Sequence, residues 1–133
     1  MAKWVNSLVQ DNGLNQIKSN ATRMVLLSAY ALGDSAATIN TNTLAYAVMT
    51  GTDFTLSGAA GAARVLTVAG GKTASATASA GGTPDLHIAF TDGTTTATNV
   101  WWVTDETSNQ AITSGNTINF PTGLTYTSNQ PTP

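Results

Sequence analysis

Period-2 alternation of apolar residues, cut by glycine turns, narrows the possible folds of this chain more than any other feature. Leu86, Ile88 and Phe90 occupy alternate positions, with Asp85, His87 and Ala89 between them. That is the pattern of a strand whose two faces meet different surroundings. Val65, Thr67 and Ala69 alternate with Leu66 and Val68, and Gly70-Gly71 then closes the segment. Leu44, Tyr46 and Val48 point one way, with Ala45, Ala47 and Met49 between them. Arg23 to Tyr30 is a short apolar run that reads as a core strand, whereas Gly33 to Thr43 is small and polar and reads as loop. Thr73 to Ser79 alternates Thr or Ser with Ala, a strand too small in side chain for the middle of a core, and Gly81-Gly82 marks the next turn. The stretch from Gly58 to Gly82 is rich in small residues but is interrupted by Arg64-Val65-Leu66, so it reads as sheet and loop rather than a linker.

Two hairpins are expected. Asp92-Gly93 suits a type I′ turn, which needs positive φ, and would pair Leu86–Phe90 with Val100-Trp101-Trp102-Val103. Ser114-Gly115-Asn116 lies between Ala111-Ile112-Thr113 and Ile118-Asn119-Phe120, and Pro121 ends that segment. Strands at spacings of roughly 8–12 residues point to an antiparallel sandwich or barrel. The one good helix candidate runs from Lys3 to about Ser19. Trp4, Val5, Leu8 and Val9 share one face, Leu14 and Ile17 fall on another, and Asn12-Gly13 predicts a break or a helix buried on more than one side. The expected fold is mainly β: an antiparallel β-sandwich or barrel-like domain preceded by a short N-terminal helix. Its divisions are a helical arm over 1–20, a β domain over 21–128 and a C-terminal tail over 129–133.

Composition limits the partners. The 133 residues suffice for one domain with a modest core. Charged residues make up only 9%, against about 25% in an ordinary domain. Five Lys and Arg face seven Asp and Glu, too few cations to follow a phosphate backbone, so no nucleic acid is expected as partner. Without cysteine, disulfides, iron–sulfur sites and thiol nucleophiles are excluded, and a single histidine excludes a multi-His metal centre. No apolar run approaches the roughly 18 residues of a membrane span, so no membrane is expected either. The start, Met1 to Asn6, lacks the apolar core of a secretion signal, which points to synthesis in the cytoplasm. About two dozen Thr residues, with Ser and Asn, take the place of charge. Such a surface is either polar and exposed or covered by neighbours in an assembly. The tail Pro131-Thr132-Pro133 is expected to lie against something.

Few residues suggest chemistry. His87 has Asp85 and Asp92 near it in sequence, the material for a general base, but no G-x-S-x-G turn supplies a nucleophile. The carboxylates Asp11, Asp34, Asp53, Asp85, Asp92, Asp105 and Glu106 are scattered, and the adjacent pair Asp105-Glu106 would face opposite ways on a strand. The glycine pairs do not form a phosphate loop, and no calcium loop occurs. Asn20-Ala21-Thr22 fits the glycosylation pattern, which carries little meaning without a secretion signal. No catalytic, cofactor-binding or metal residues are expected, and no cofactor. In Trp101-Trp102, a regular strand would turn one indole to the core and the other outward, onto a partner or a sugar ring; alternatively both are covered.

Ala2-Lys3-Trp4-Val5-Asn6, Leu14-Asn15-Gln16-Ile17 and Asn20 to Leu26 resemble small virion proteins of tailed bacteriophages. Thr50 to Phe54, His87 to Asp92 and Ile112 to Thr117 fit the same pattern. The resemblance implies a short helix before a β domain and a non-enzymatic structural role in the virion, made in the host cytoplasm. The role it implies is head decoration or cement, with the major capsid protein or other virion proteins, and copies of this chain in a homo-oligomer, as partners. A tail or fibre component is the alternative within that class. A carbohydrate-binding β-sandwich using Trp101 or Trp102, and a small hydrolase using Asp85, His87 and Asp92, are the readings outside it. The candidate protein-contact residues are Trp4, Val5, Leu8, Trp101, Trp102, Pro131 and Pro133.

Overall fold

Helix α1 (Ser7–Asn20) begins where the Asn6 side chain accepts the Leu8 backbone N–H at 2.8 Å, a cap that satisfies one of the free donors of the first turn. Trp4 and Val5 therefore precede the helix instead of lying on it. The computed structural model describes residues 2–132. Gln10, Leu14 and Ile17 are the buried positions of α1, at the 3–4 spacing of one helical stripe. The helix runs through Gly13 without a break and buries a single stripe, so neither expected alternative holds. Apart from the neighbouring residues and the helix's own backbone, no atom lies within 4 Å of where a Gly13 Cβ would be, and the residue sits on an open face.

The chain then forms β1 (Arg23–Leu27), α2 (Ala36–Asn42), β2 (Thr43–Val48), a 3₁₀ turn (Gly51–Asp53), β3 (Phe54–Ser57), β4 (Arg64–Val68) and β5 (Thr73–Ser75). β6 (His87–Thr91), β7 (Val100–Asp105), β8 (Thr117–Asn119) and β9 (Thr125–Ser128) complete it. All pairings are antiparallel, in a four-stranded sheet ordered β2-β1-β6-β7, a three-stranded sheet β3-β4-β9 and a two-stranded sheet β5-β8. The fold is thus mainly β, a helix followed by antiparallel sheets; the sheets do not close, so the barrel alternative falls away.

One core cluster joins α1 to the sheets: Leu14 and Ile17 pack with Met24, Leu26, Phe54, Leu66, Val68, Ile88 and Phe90. The back of the four-stranded sheet is covered as well. Val25, Leu27 and Ala89 pack there with Ile39 of α2, while Tyr30, Tyr46, Val100 and Val103 close the margin. All five residues of β1 are buried as a result, which accounts for its unbroken apolar sequence. The stretch over 33–43 is accordingly not all loop. Ser35 caps α2 through its hydroxyl, and Ile39 is fully buried.

Neither expected hairpin forms as a tight turn. β6 and β7 do pair, with Phe90 opposite Trp102, but residues 92–99 connect them. Gly93 adopts φ 87° while Asp92 does not enter the positive-φ region, so a type I′ turn is excluded. The Asp92 carboxylate instead accepts the backbone N–H groups of Thr98 and Asn99 at 2.8 and 2.7 Å and organises the longer loop. In the second segment, Ile112 bridges Ala80 and β8 pairs with β5. Those partners bury Ile112 and Phe120 in the main core, which a local hairpin would not do.

Two bulges break the alternation. Opposite β1, Leu26 pairs with Ala45 and Leu27 with Thr43, so Leu44 is the extra residue. Opposite β6, Phe90 pairs with Trp102 and Thr91 with Val100, so Trp101 is the extra residue. A bulge places two residues against one and re-aims a side chain. Leu44 and Ala45 both enter the main cluster, and Trp101 and Trp102 both pack against it. The regular alternation expected over 44–49 and at the Trp doublet is corrected by this one device.

Candidate protein-contact surface

The N-terminal segment is held by the C-terminal one. Val5 N–H donates to Gln130 Oε1 at 2.9 Å, and Gln130 Nε2 donates to Val5 O at 3.2 Å and to Gln10 Oε1 at 3.0 Å. Gln10, 5% exposed, donates from Nε2 to Ser128 O at 2.7 Å. A buried amide with its donors and acceptors satisfied is stabilising and directional. The Asp11 carboxylate adds a two-toothed pair with Arg64, at 2.7 Å to Nε and 3.2 Å to Nη2, which ties α1 to β4.

These contacts present an apolar surface. Trp4, Leu8 and Val9 are 65, 66 and 62% exposed. Val9 also lines an open cavity of about 430 Å³, whose other walls include Val5, Leu14, Ile17, Trp101 and Tyr126. Val5 and Trp101, far apart in sequence, are thereby brought to one recess, while Trp4 and Leu8 stand outside it. Trp102 is half-buried. Its ring stacks on Phe90 at 4.7 Å between centroids and 10° between planes, and meets Tyr126 edge-on at 5.7 Å. One face of that indole is therefore taken by the core. Trp101 is also half-buried, with Nε1 buried and unpartnered. Pro131 is exposed, and Pro133 lies outside the described residues.

Sequence reasoning missed Gln10, Gln130 and Tyr126 at this surface. A signal for Gln10 existed: it shares a helical stripe with Leu14 and Ile17, where a polar side chain needs a partner. Gln130 and Tyr126 carried no comparable mark, because their roles depend on which strand lies beside α1.

His87 lies apart from this surface and from Asp92. The two sit five residues apart along β6 and its exit, about 16 Å at strand rise. The carboxylate facing His87 is instead that of Asp105, its cross-strand partner, at 4.0 Å from Nε2. His87 Nδ1 lies 2.9 Å from Asp85 O. The ligating atoms of Asp85, His87 and Asp105 fall within 4.8 Å of one another, both carboxylates being exposed. Asp53 does structural work at the 3₁₀ turn. Burial by itself would raise its carboxyl pKa, but the Thr50 backbone N–H at 2.8 Å and the Lys72 ammonium at 3.0 Å outweigh that and hold it below the usual value. For Asp92 the bonds from Asn99 and Thr98 likewise outweigh burial and lower the pKa.

No known protein family, curated protein or solved structure matches the chain.

Proposed function

We propose that this chain is a non-enzymatic structural protein of a phage virion, a head decoration or cement protein that binds neighbouring shell subunits. The observation that carries the reading is the exposure of Trp4, Leu8 and Val9, together with the recess that Val9 lines with Val5 and Trp101. Large exposed apolar side chains at the start of the chain of a charge-poor domain favour contact with protein. Many copies on a repeating shell would sum modest contacts into a stable lattice. The clamp between Val5 and Gln130 supports the same reading, because it sets the apolar segment before binding and lowers the ordering cost of association. The tail or fibre alternative uses the same surface on a different partner.

Sedimentation of the purified chain, alone and with phage shells, tests this. Co-sedimentation that is lost in the Trp4→Ser/Leu8→Ser double variant supports it. A monomer that ignores shells in both forms overturns it.

A further inference from the structure

Behind the four-stranded sheet, on the face away from the main core, lies a cation with no counter-charge. Arg23 is 2% exposed, and its guanidinium carbon sits 4.2 Å from the centroid of the Tyr46 ring. Its Nε and Nη1 are buried without hydrogen-bond partners. Its cross-strand neighbour Thr91 is fully buried, and Oγ1 of that residue is unpartnered too. Directly opposed residues of an antiparallel pair share a face, so three orphaned polar atoms fall on the same side of the sheet. None of the ion pairs among the described residues includes Arg23. Burying an ion without a partner costs several kcal/mol, and Arg keeps its charge in proteins. Burial does pull the Arg23 pKa down, and the electrostatic effect of Tyr46 pushes it partly back.

Arg23 also lines a cavity of about 200 Å³, whose other walls are Asn40, Thr43, Tyr46, Thr77, Thr95 and Thr96. That is several times the roughly 30 Å³ a liquid water occupies. These walls are uncharged and supply hydroxyls and an amide. The hydroxyls of Thr43 and Thr77 donate inward, to Ile39 O at 2.8 Å and Leu44 O at 3.2 Å. Thr95 and Thr96 stand at the exposed lip. The lip is fixed: Asn40 Nδ2 donates to Ala97 O at 3.0 Å, and Ala97 N–H donates to Asn40 Oδ1 at 2.8 Å.

We propose that this cavity binds a small oxyanion, a carboxylate or a tetrahedral anion of the phosphate type, with the Arg23 guanidinium as its counter-charge and the Thr95 and Thr96 hydroxyls as further donors. Arg is the side chain best suited to either group. The site is independent of the apolar surface on α1 and does not rest on the virion reading.

Titration of the isotope-labelled full chain with phosphate, and separately with acetate, tests the site by amide NMR, with chloride holding ionic strength constant. Saturable shifts of the Asn40, Thr95 and Thr96 amides are expected. A response to acetate alone marks a carboxylate site, and one to phosphate a tetrahedral-anion site. Arg23→Gln should weaken binding by about tenfold or more, the loss of one charged partner. Thr96→Val, at the exposed lip, should weaken it measurably without touching the fold, and it decides the question should Arg23→Gln not fold. Shifts that fail to saturate for both anions overturn the proposal, as does affinity unchanged in a folded Arg23→Gln or, should that variant not fold, in Thr96→Val.

Discussion

The Gln130 side-chain amide pairs with the backbone of Val5 as a neighbouring strand would, accepting from its N–H at 2.9 Å and donating to its C=O at 3.2 Å. One residue thereby joins the two ends of the chain, and it joins them where the apolar surface begins.

Replacing Gln130 with Ala should therefore release the segment before α1. Two part-buried hydrogen bonds to the backbone are lost, and Gln10 loses a partner as well, for a destabilisation of about 1–2 kcal/mol. Urea denaturation gives the total. Amide exchange at Val5 should accelerate far more than exchange in β1, since the loss is local.

The two tryptophans should separate in their effects. Trp102→Ala removes the ring stacked on Phe90 and should cost about 3 kcal/mol. Trp101→Phe removes a buried N–H that lacks a partner, which offsets part of the lost packing, and should stay within about 1 kcal/mol of the native chain. Denaturation followed by circular dichroism compares them directly.

Stability should depend on pH through Asp53. Its carboxyl is held below the usual value in the folded chain, so its contribution is present above the unfolded pKa of about 3.9 and fades as pH falls through the folded one. Asp53→Asn should be less stable than the native chain by about 2 kcal/mol at neutral pH. The gap should narrow as pH drops below about 4. Thermal melts at a series of pH values read both.

Gly93 cannot carry a side chain. Its φ is 87°, and a Cβ there would collide with the Thr96 carbonyl oxygen. Gly93→Ala should cost roughly 1–3 kcal/mol, whereas Gly13→Ala, on the open face of α1, should be stabilising by about 0.5–1 kcal/mol. Paired melts of the two variants check the contrast.

What the sequence made legible follows from where alternation holds. β4 and β6 carry period-2 patterns, and the pairing of β6 with β7 could be anticipated. β1 was recognisable because burial on both faces leaves an unbroken apolar run. Helix α2 was not. Its Thr and Asn residues are weak helix formers, and it exists because Ser35 caps it and Ile39 finds the back of the sheet. The bulges were hidden for a different reason. Leu44-Ala45 and Trp101-Trp102 are doublets of apolar residues, which satisfy the pattern in either register. Within the contact surface, exposed Trp4 and Leu8 were candidates from the sequence, but the recess that unites Val5 with Trp101 depends on α1 docking beside β7 and β9.

The positions of those bulges matter beyond the core. β2 and β7 are the outer strands of the four-stranded sheet, and each carries one. An outer strand offers unpaired backbone groups to any other strand that drifts past, and charged side chains, lysine above all, are one common way of discouraging this. This chain has only five cations for 133 residues. On β2 the Leu44 carbonyl at the bulge is already taken, accepting the Thr77 N–H at 2.7 Å, and on β7 the extra residue Trp101 breaks the ladder. Each margin is thereby a poorer template for a further strand, by shape instead of charge.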